Sequence, residues 1–299
     1  MTTSHAILKK TAMEEVTSFK QGALLVVRLF FVFVAMLIAF VVSAVVINPG
    51  IPLSPEESSQ SGPAMLIVSL INTLVLALVI LRSRWYGIKL IAAIFVIHSG
   101  VQTFMSQIET LYFIGALKMP LDMVLRVIVS GFVRALVFAP LAVWLLGKFR
   151  GSPEPEEHPR LRMPQSEWLK RFAVLAIIYV MVYFLFGYFV AYQWVEAREY
   201  YAGTFANDLG LPLFQVLRGL MWAALALPIV KMMKGQVWET CLAIGLVFAW
   251  LLASGVVFPN PFMPTMVRQA HFFELSSSML TYGVIAGWVW TRKASTDRI

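Results

Sequence analysis

The chain contains one cysteine, Cys241, and four histidines among its 299 residues. A single cysteine excludes an internal disulfide, and without a cysteine pair or a His/Cys cluster no thiolate metal site is predicted. The sequence also lacks a glycine-rich nucleotide-binding loop, so any pumping would have to draw on an ion gradient or on a partner protein. No cofactor is expected from these residues.

Charged residues are scarce. They make up 13% of the chain, whereas 59% of the residues are hydrophobic and the mean hydropathy is +0.77. A soluble domain would carry about 25% charged residues. The composition therefore predicts an all-α, polytopic integral membrane protein in contact with membrane lipid. Because the basic residues cluster in short loops between apolar runs, the net charge of +8 indicates membrane topology, and no nucleic-acid partner is expected.

Apolar runs predict eight transmembrane helices, since about 20 such residues cross the hydrocarbon layer. The first run is too long for a signal-peptide core and is followed by no cleavage pattern, so we expect it to remain as an anchor. The eight predicted spans are 22–47, 63–82, 87–115, 121–147, 170–193, 212–232, 238–258 and 265–291.

Lysine and arginine are concentrated in alternate loops and at both ends of the chain, whereas the opposite loops carry mostly glutamate and aspartate. The positive-inside rule then places both termini in the cytoplasm, and we expect a bacterial inner membrane. The expected segments are a cytoplasmic N-terminal segment 1–21, a first four-helix half 22–147, a Pro- and charge-rich linker 148–169, a second half 170–291 and a cytoplasmic tail 292–299.

A short internal match suggests a repeat. The segment 120–126, Pro-Leu-Asp-Met-Val-Leu-Arg, agrees with 212–218, Pro-Leu-Phe-Gln-Val-Leu-Arg, at five of seven positions. Both copies would open a helix with proline in its first turn and place an arginine deeper along it. This pattern predicts parallel copies of one helix hairpin. Leucine and valine are common in any membrane chain, so a chance match is the alternative.

Ionisable residues interrupt the apolar runs. A charge at membrane depth costs about 3 kcal/mol or more, so such residues usually face a protein interior or a water-filled cavity. In the fourth predicted helix Asp122, Arg126 and Arg134 recur at multiples of four residues. The third carries His98, Gln102, Ser106 and Glu109 on one face and Gln107 on its flank, and the eighth carries Arg268, His271 and Glu274. These three polar faces are predicted to meet.

Depth along the helices follows from the rise of about 1.5 Å per residue. It separates an outer tier of Glu109, Gln107, Arg126, Arg218 and Arg268 from a central tier of His98, Arg134 and Glu274. Within the central tier, Arg134 and Glu274 are predicted to form an ion pair, because each charge would otherwise be buried alone.

Four arginines facing one cavity would suit an anion, since guanidinium groups bind phosphate and carboxylate through two parallel hydrogen bonds. The sequence therefore predicts a cavity in the outer half of the bilayer that binds or translocates an anionic lipid headgroup or a small organic anion. The predicted ligand-binding residues are Arg126, Arg134, Arg218, Arg268, Gln102 and Gln107. The predicted charge-pairing or proton-coupling residues are Glu109, His271, Glu274 and His98.

Three alternatives stay open at this point. The charges could neutralise one another as a purely structural network. His271 and Glu274, together with Glu109 and His98, could hold a metal ion for intramembrane hydrolysis. The chain could also be a non-catalytic accessory or assembly subunit, in which case its protein partner is unknown.

Overall fold

The computed structural model describes residues 2–151, 161–203 and 208–292; for residues 2–19 only the backbone is described. Parts of the predicted segments 1–21, 148–169 and 292–299 therefore lie outside the described residues. All regular structure in these ranges is helical, as predicted. The helices are α1 (Thr2–Val46), α2 (Pro55–Leu81), α3 (Gly87–His98), α4 (Met105–Tyr112), α5 (Ile114–Leu117), α6 (Leu121–Leu145), α7 (Gln165–Phe189), α8 (Val195–Tyr200), α9 (Leu211–Met232), α10 (Val237–Ala253) and α11 (Thr265–Thr291).

Seven stretches of the described chain are long and apolar enough to cross a membrane, which is the property of a multi-pass membrane protein. They are Lys20–Val46, Pro55–Leu81, Gly87–Tyr112, Leu121–Leu145, Gln165–Gln193, Leu211–Met232 and Val237–Val257. Helix α11 has the same length as α2 but carries more polar residues and is not among the seven. The eighth span therefore stays a prediction.

Several helices begin at a proline, which explains where the spans start. Pro55 and Pro212 occupy the first turns of α2 and α9, and Pro120, Pro164 and Pro264 immediately precede α6, α7 and α11. The fixed backbone angle of proline and its missing N–H are compatible with a first helical turn, whose N–H groups have no partner within the helix. Proline thus marks the entry into five of the long helices.

The loops gather at two ends of the bundle. At the basic end, the segments 82–86, 145–151 and 232–236 are joined by hydrogen bonds, among them those from the Lys148 ammonium to the Ser83 carbonyl and from the Lys234 amide to the Arg82 carbonyl. The opposite end comprises 47–57, 113–120, 190–203 and 258–264; we call it the acidic end because it carries Glu56, Glu57, Glu196 and Glu199 against Lys118 and Arg198. The loop charges thus remain separated as the sequence predicts. Which end faces the cytoplasm stays a prediction.

Glycines bring α10 and α11 into close contact. A Cβ atom at Gly283 would lie 2.7 Å from the Cα atom of Gly245, and one at Gly287 would lie 2.6 Å from the Cα atom of Cys241. Small residues four apart let the backbones of membrane helices approach closely. This seam holds α11 along α10, and α11 also packs against α7 and α9. Its N-terminal half therefore faces the space between α7, α9 and α4.

The third span is not a regular α-helix. A π-helical segment, Ser99–Phe104, separates α3 from α4. Helix α6 crosses this segment at Gly131, where a Cβ atom would overlap the side chain of Thr103. Such π segments add a residue to the turn and are common at functional sites. The polar residues before and after the segment therefore lie on different faces of the span.

Candidate functional site

Two of the four arginines at membrane depth lie at the edges of the bundle. The side chain of Arg126 is 56% exposed, and its nearest carboxylate is that of Asp122, 3.7 Å away. Arg268 donates hydrogen bonds to the Phe258 carbonyl at 2.7 Å and to the Thr265 hydroxyl at 3.1 Å. Arg126 is thus a surface residue, and Arg268 ties the start of α11 to the end of the short helical turn Ser254–Val257.

The predicted ion pair between Arg134 and Glu274 is not formed. Arg134 donates to the Thr103 hydroxyl at 3.1 Å, and its guanidinium carbon lies 4.3 Å from the ring centroid of Phe40. The physical reason is that α6 packs against α1 and the third span, whereas the glycine seam holds α11 on α10. The third and fourth spans do contact each other, as predicted. Helix α11 packs instead against α10, α7 and α9.

A buried polar chain occupies the middle of the bundle. His98 Nε2 lies 2.8 Å from Gln102 Oε1, and Gln102 Nε2 donates to the Ser254 hydroxyl at 2.9 Å. The Asn72 amide oxygen lies 3.4 Å from the same hydroxyl, and the rings of His98 and Phe138 pack in a T-shaped contact with centroids 5.4 Å apart. All members of the chain are buried. It crosslinks α2, the third span and the end of α10.

A cavity of about 440 Å³ lies among α4, α7, α9 and α11, near the acidic end. Its polar lining residues other than tyrosine are Ser106, Glu109, Thr110, Asp208, Arg218, His271, Glu274 and Ser278. Aromatic residues form much of the remaining wall: Phe113, Tyr179, Tyr183, Phe184, Tyr188, Tyr192 and Tyr201. The structure therefore brings together Arg218, Glu109, His271 and Glu274 of the predicted site. The predicted residues outside this lining are Arg126, Arg134, Arg268, Gln102, Gln107 and His98.

Arg218 is held by protein groups on several sides. Its guanidinium lies 2.8 Å from a Glu109 carboxylate oxygen and donates to the Gln215 side-chain oxygen at 3.0 Å and to the Met105 carbonyl at 3.2 Å. The Arg218 side chain is only 2% exposed, whereas that of Glu109 is 26% exposed. Glu109 is thus the member of the pair that faces the cavity, and Arg218 lies behind it.

A second polar group connects the acidic-end loops to α11. The Tyr201 hydroxyl lies 2.8 Å from His271 Nε2, and His271 Nδ1 lies 3.2 Å from Glu274 Oε2. Burial raises the pKa of Tyr201 well above its ordinary value of 10, so the hydroxyl keeps its proton and can donate it to Nε2. His271 thus lies between the Tyr201 hydroxyl and the Glu274 carboxylate, with one ring nitrogen facing each.

The residues proposed for a metal site are not brought together. His98 lies in the buried chain with Gln102, away from the cavity, so it cannot join Glu109, His271 and Glu274. Among the described residues, no group of three or more His, Cys, Asp or Glu side chains could hold a metal ion. The metal-hydrolase alternative loses the ligand set on which it depended.

The suspected repeat does not place its two arginines in equivalent surroundings. Helices α6 and α9 both begin at the matching prolines. Arg126 is nevertheless a surface residue, while Arg218 is enclosed. The difference arises because α9 packs along α7 with Gly219 against Ala176, which encloses the neighbouring Arg218.

The tyrosines of the cavity were not expected as site residues. Tyr179 and Tyr183 lie four residues apart on α7, a spacing that places them on one face, and Tyr188 and Tyr192 repeat this spacing across the end of the helix. In a membrane helix this spacing is equally typical of interface belts and helix packing. Tyr201 and Asp208 come from a connecting segment, where helical periodicity gives no signal.

Comparisons with family models, with curated proteins and with solved structures find no match to this chain. The fold and the cavity define the class: a multi-pass helical membrane protein with an internal cavity of the size that takes a small ligand.

Proposed function

We propose that this protein binds an amphipathic ligand, a lipid or a lipid-like molecule, within the membrane and acts as its binding protein or carrier. The observation that carries the proposal is the divided lining of the cavity of about 440 Å³, with charged groups from α4, α9 and α11 and aromatic walls from α7. Small-molecule sites are typically apolar cavities with a few convergent polar groups, in this range of volume. The polar end of the ligand would meet Glu109, His271 and Glu274.

Helix α7 offers the entrance from the lipid. Phe184 and Tyr188 line the cavity and are exposed, and Gly187 between them has no neighbouring atom within 4 Å of a built Cβ position. The wall is therefore thin at this turn of α7. A hydrocarbon tail leaving the cavity here would pass directly into the acyl chains of the bilayer.

The sequence predicts that the ligand has an anionic head. That prediction rested on four arginines facing one cavity. Of the four arginines, Arg218 alone lines the cavity, and Glu109 already occupies its exposed side. An anionic ligand would have to displace Glu109 from Arg218. An amphipathic ligand is favoured by the shape and lining of the cavity, whichever charge its head carries.

The proposal is tested by filling the entrance. Gly187→Trp introduces a large ring where no atom stands, and Gly62→Trp places the same ring on an exposed turn of α2, where a Cβ atom also meets nothing within 4 Å. The three purified proteins are compared by native mass spectrometry for amphipathic molecules that remain bound. We expect the wild type and Gly62→Trp to carry the same ligand and Gly187→Trp to lose most of it. An equal load in all three would contradict the proposal.

A further inference from the structure

We infer that the ligand's polar head is cationic, an amine or a quaternary ammonium group. This inference rests on the proposed function, because it names the chemistry of the ligand that the cavity holds. It replaces the anionic head predicted from the sequence.

The first argument is the balance of charge in the cavity. Three carboxylates, Glu109, Glu274 and Asp208, face one guanidinium, that of Arg218, among the described lining residues. His271, whose Nδ1 lies 3.2 Å from Glu274, is the other lining side chain that can carry a positive charge. The carboxylates therefore outnumber the cationic side chains of the lining even when His271 is protonated. In a cavity of low dielectric this excess attracts a cation and repels an anion.

The second argument concerns how the carboxylate of Glu274 is enclosed and what it contacts. Its residue surface is 93% enclosed, since only 7% is exposed, yet the side chain lines the cavity. One carboxylate oxygen, Oε2, takes the contact from His271, and within the described residues the other oxygen, Oε1, receives no hydrogen bond. A carboxylate this enclosed is stabilised when a second cationic group occupies the adjoining space. An ammonium head in the cavity would supply that partner.

The third argument comes from the walls. Five tyrosines line the cavity: Tyr179, Tyr183, Tyr188, Tyr192 and Tyr201. The faces of aromatic rings carry negative electrostatic potential and attract cations, and quaternary ammonium groups in particular are bound in aromatic cages. Tyr179 and Tyr183 form a continuous part of this wall, with ring centroids 6.4 Å apart. Carboxylates and aromatic faces together match an alkylammonium head better than a phosphate.

The test compares three ligands that share a tetradecyl tail and differ in their head group. The purified protein in neutral maltoside micelles is titrated with tetradecyltrimethylammonium, tetradecyl phosphate or tetradecyl maltoside, and the midpoint of thermal unfolding is recorded. A ligand that binds the native state raises this midpoint in a saturable way. We expect saturable stabilisation by the trimethylammonium compound, with an affinity at least about tenfold above that of the phosphate, as expected when a charge-assisted contact is gained.

Variants that remove one carboxylate charge test whether Glu274 contacts the cationic head. Glu274→Gln should lower the affinity for tetradecyltrimethylammonium about tenfold, because it removes the carboxylate charge that would contact the head. Glu196→Gln removes one charge from an exposed position at the same end and should bind as the wild type does. Glu274→Asp, which keeps the charge, should retain the preference and serves if Glu274→Gln does not fold.

The outcomes separate this inference from the proposed function. Preference for tetradecyl phosphate, or unchanged binding of the cation by Glu274→Gln, would overturn the cationic head while leaving an amphipathic ligand in place. Saturable binding of none of the three compounds, together with an equal load of bound molecules in the wild type and Gly187→Trp, would overturn both.

Discussion

The carboxylate of Glu109 lies 2.8 Å from the guanidinium of Arg218 and joins α4 to α9 across the floor of the cavity. The two partners are unequally enclosed, because Arg218 is buried and Glu109 borders the cavity. Water in the cavity can solvate a carboxylate that has lost its partner, but it cannot reach the guanidinium as easily. Removing Glu109 therefore leaves a buried cation without its partner, whereas removing Arg218 leaves a carboxylate that water can reach.

This asymmetry predicts different losses of stability. Glu109→Ala strands a buried cation and should lower the free energy of unfolding by about 3 kcal/mol. Arg218→Met fills a similar volume and leaves a carboxylate that water can reach, so its cost should be smaller. The double variant should be more stable than the sum of the two losses indicates. Reversible unfolding in mixed detergent micelles measures all three.

The matched control is the pair Asp122 and Arg126, whose side chains are largely exposed. Substituting these two residues should show a coupling below about 0.5 kcal/mol, as exposed pairs do. Equal losses for Glu109→Ala and Arg218→Met, with additive effects in the double variant, would show that the pair is not a coupled unit.

Two glutamines of the third span should respond in opposite ways to the same change. Gln102 bonds both His98 and Ser254, so Gln102→Leu leaves buried polar partners unsatisfied and should cost about 1–3 kcal/mol. The side-chain oxygen of Gln107 is buried without a hydrogen-bond partner. Gln107→Leu should therefore be neutral or stabilising. Thermal unfolding of the two variants decides the matter, and an equal loss in both would count against the central polar chain.

The seam between α10 and α11 should not tolerate a single methyl group. In Gly283→Ala the new Cβ atom would stand against the backbone of Gly245, and separating the helices should cost about 1–3 kcal/mol. Gly62→Ala, in a helix with open space at the same position, should be neutral or slightly stabilising because alanine favours the helix. Thermal unfolding of both variants checks this. Similar behaviour of the two would mean that the helices are not in such close contact.

The separation of charge between the loops predicts the orientation of the chain. Reporter fusions following Lys148 and at the C-terminus should both report the cytoplasm, and a fusion following Lys118 should report the opposite side. A C-terminal reporter on the same side as the one at Lys118 would leave α11 outside the membrane and limit the spans to seven. The experiment thus tests the eighth span and the orientation together.

Composition and apolar length were sufficient to predict the all-helical, multi-pass class, because a bilayer imposes both requirements on the backbone. The partners of individual charges could not be predicted in the same way. Arg134 and Glu274 were matched by depth alone, but depth does not show which helices are neighbours. That information lies in contacts such as Gly283 against Gly245, whose effect depends on the partner helix.

The candidate site was predicted in part. Glu109, Arg218, His271 and Glu274 were identified because charges at membrane depth are costly, and all four line one cavity. Arg126 was assigned the same place as Arg218 from the matching segments, but local sequence does not determine whether a neighbouring helix covers a side chain. The tyrosines of α7 were not counted as site residues because their spacing fits an interface belt equally well.

The π-helical segment Ser99–Phe104 explains how one span serves two polar sites. In an uninterrupted α-helix His98 and Glu109 would lie nearly in line, eleven residues apart. The extra residue of the π turn offsets the two halves by about 100°, so that His98 and Gln102 point into the central chain while Glu109 reaches the cavity. Removing a single residue from this segment would turn α4 by the same angle. Glu109 would then leave Arg218, and the two sites would merge onto one side of the helix.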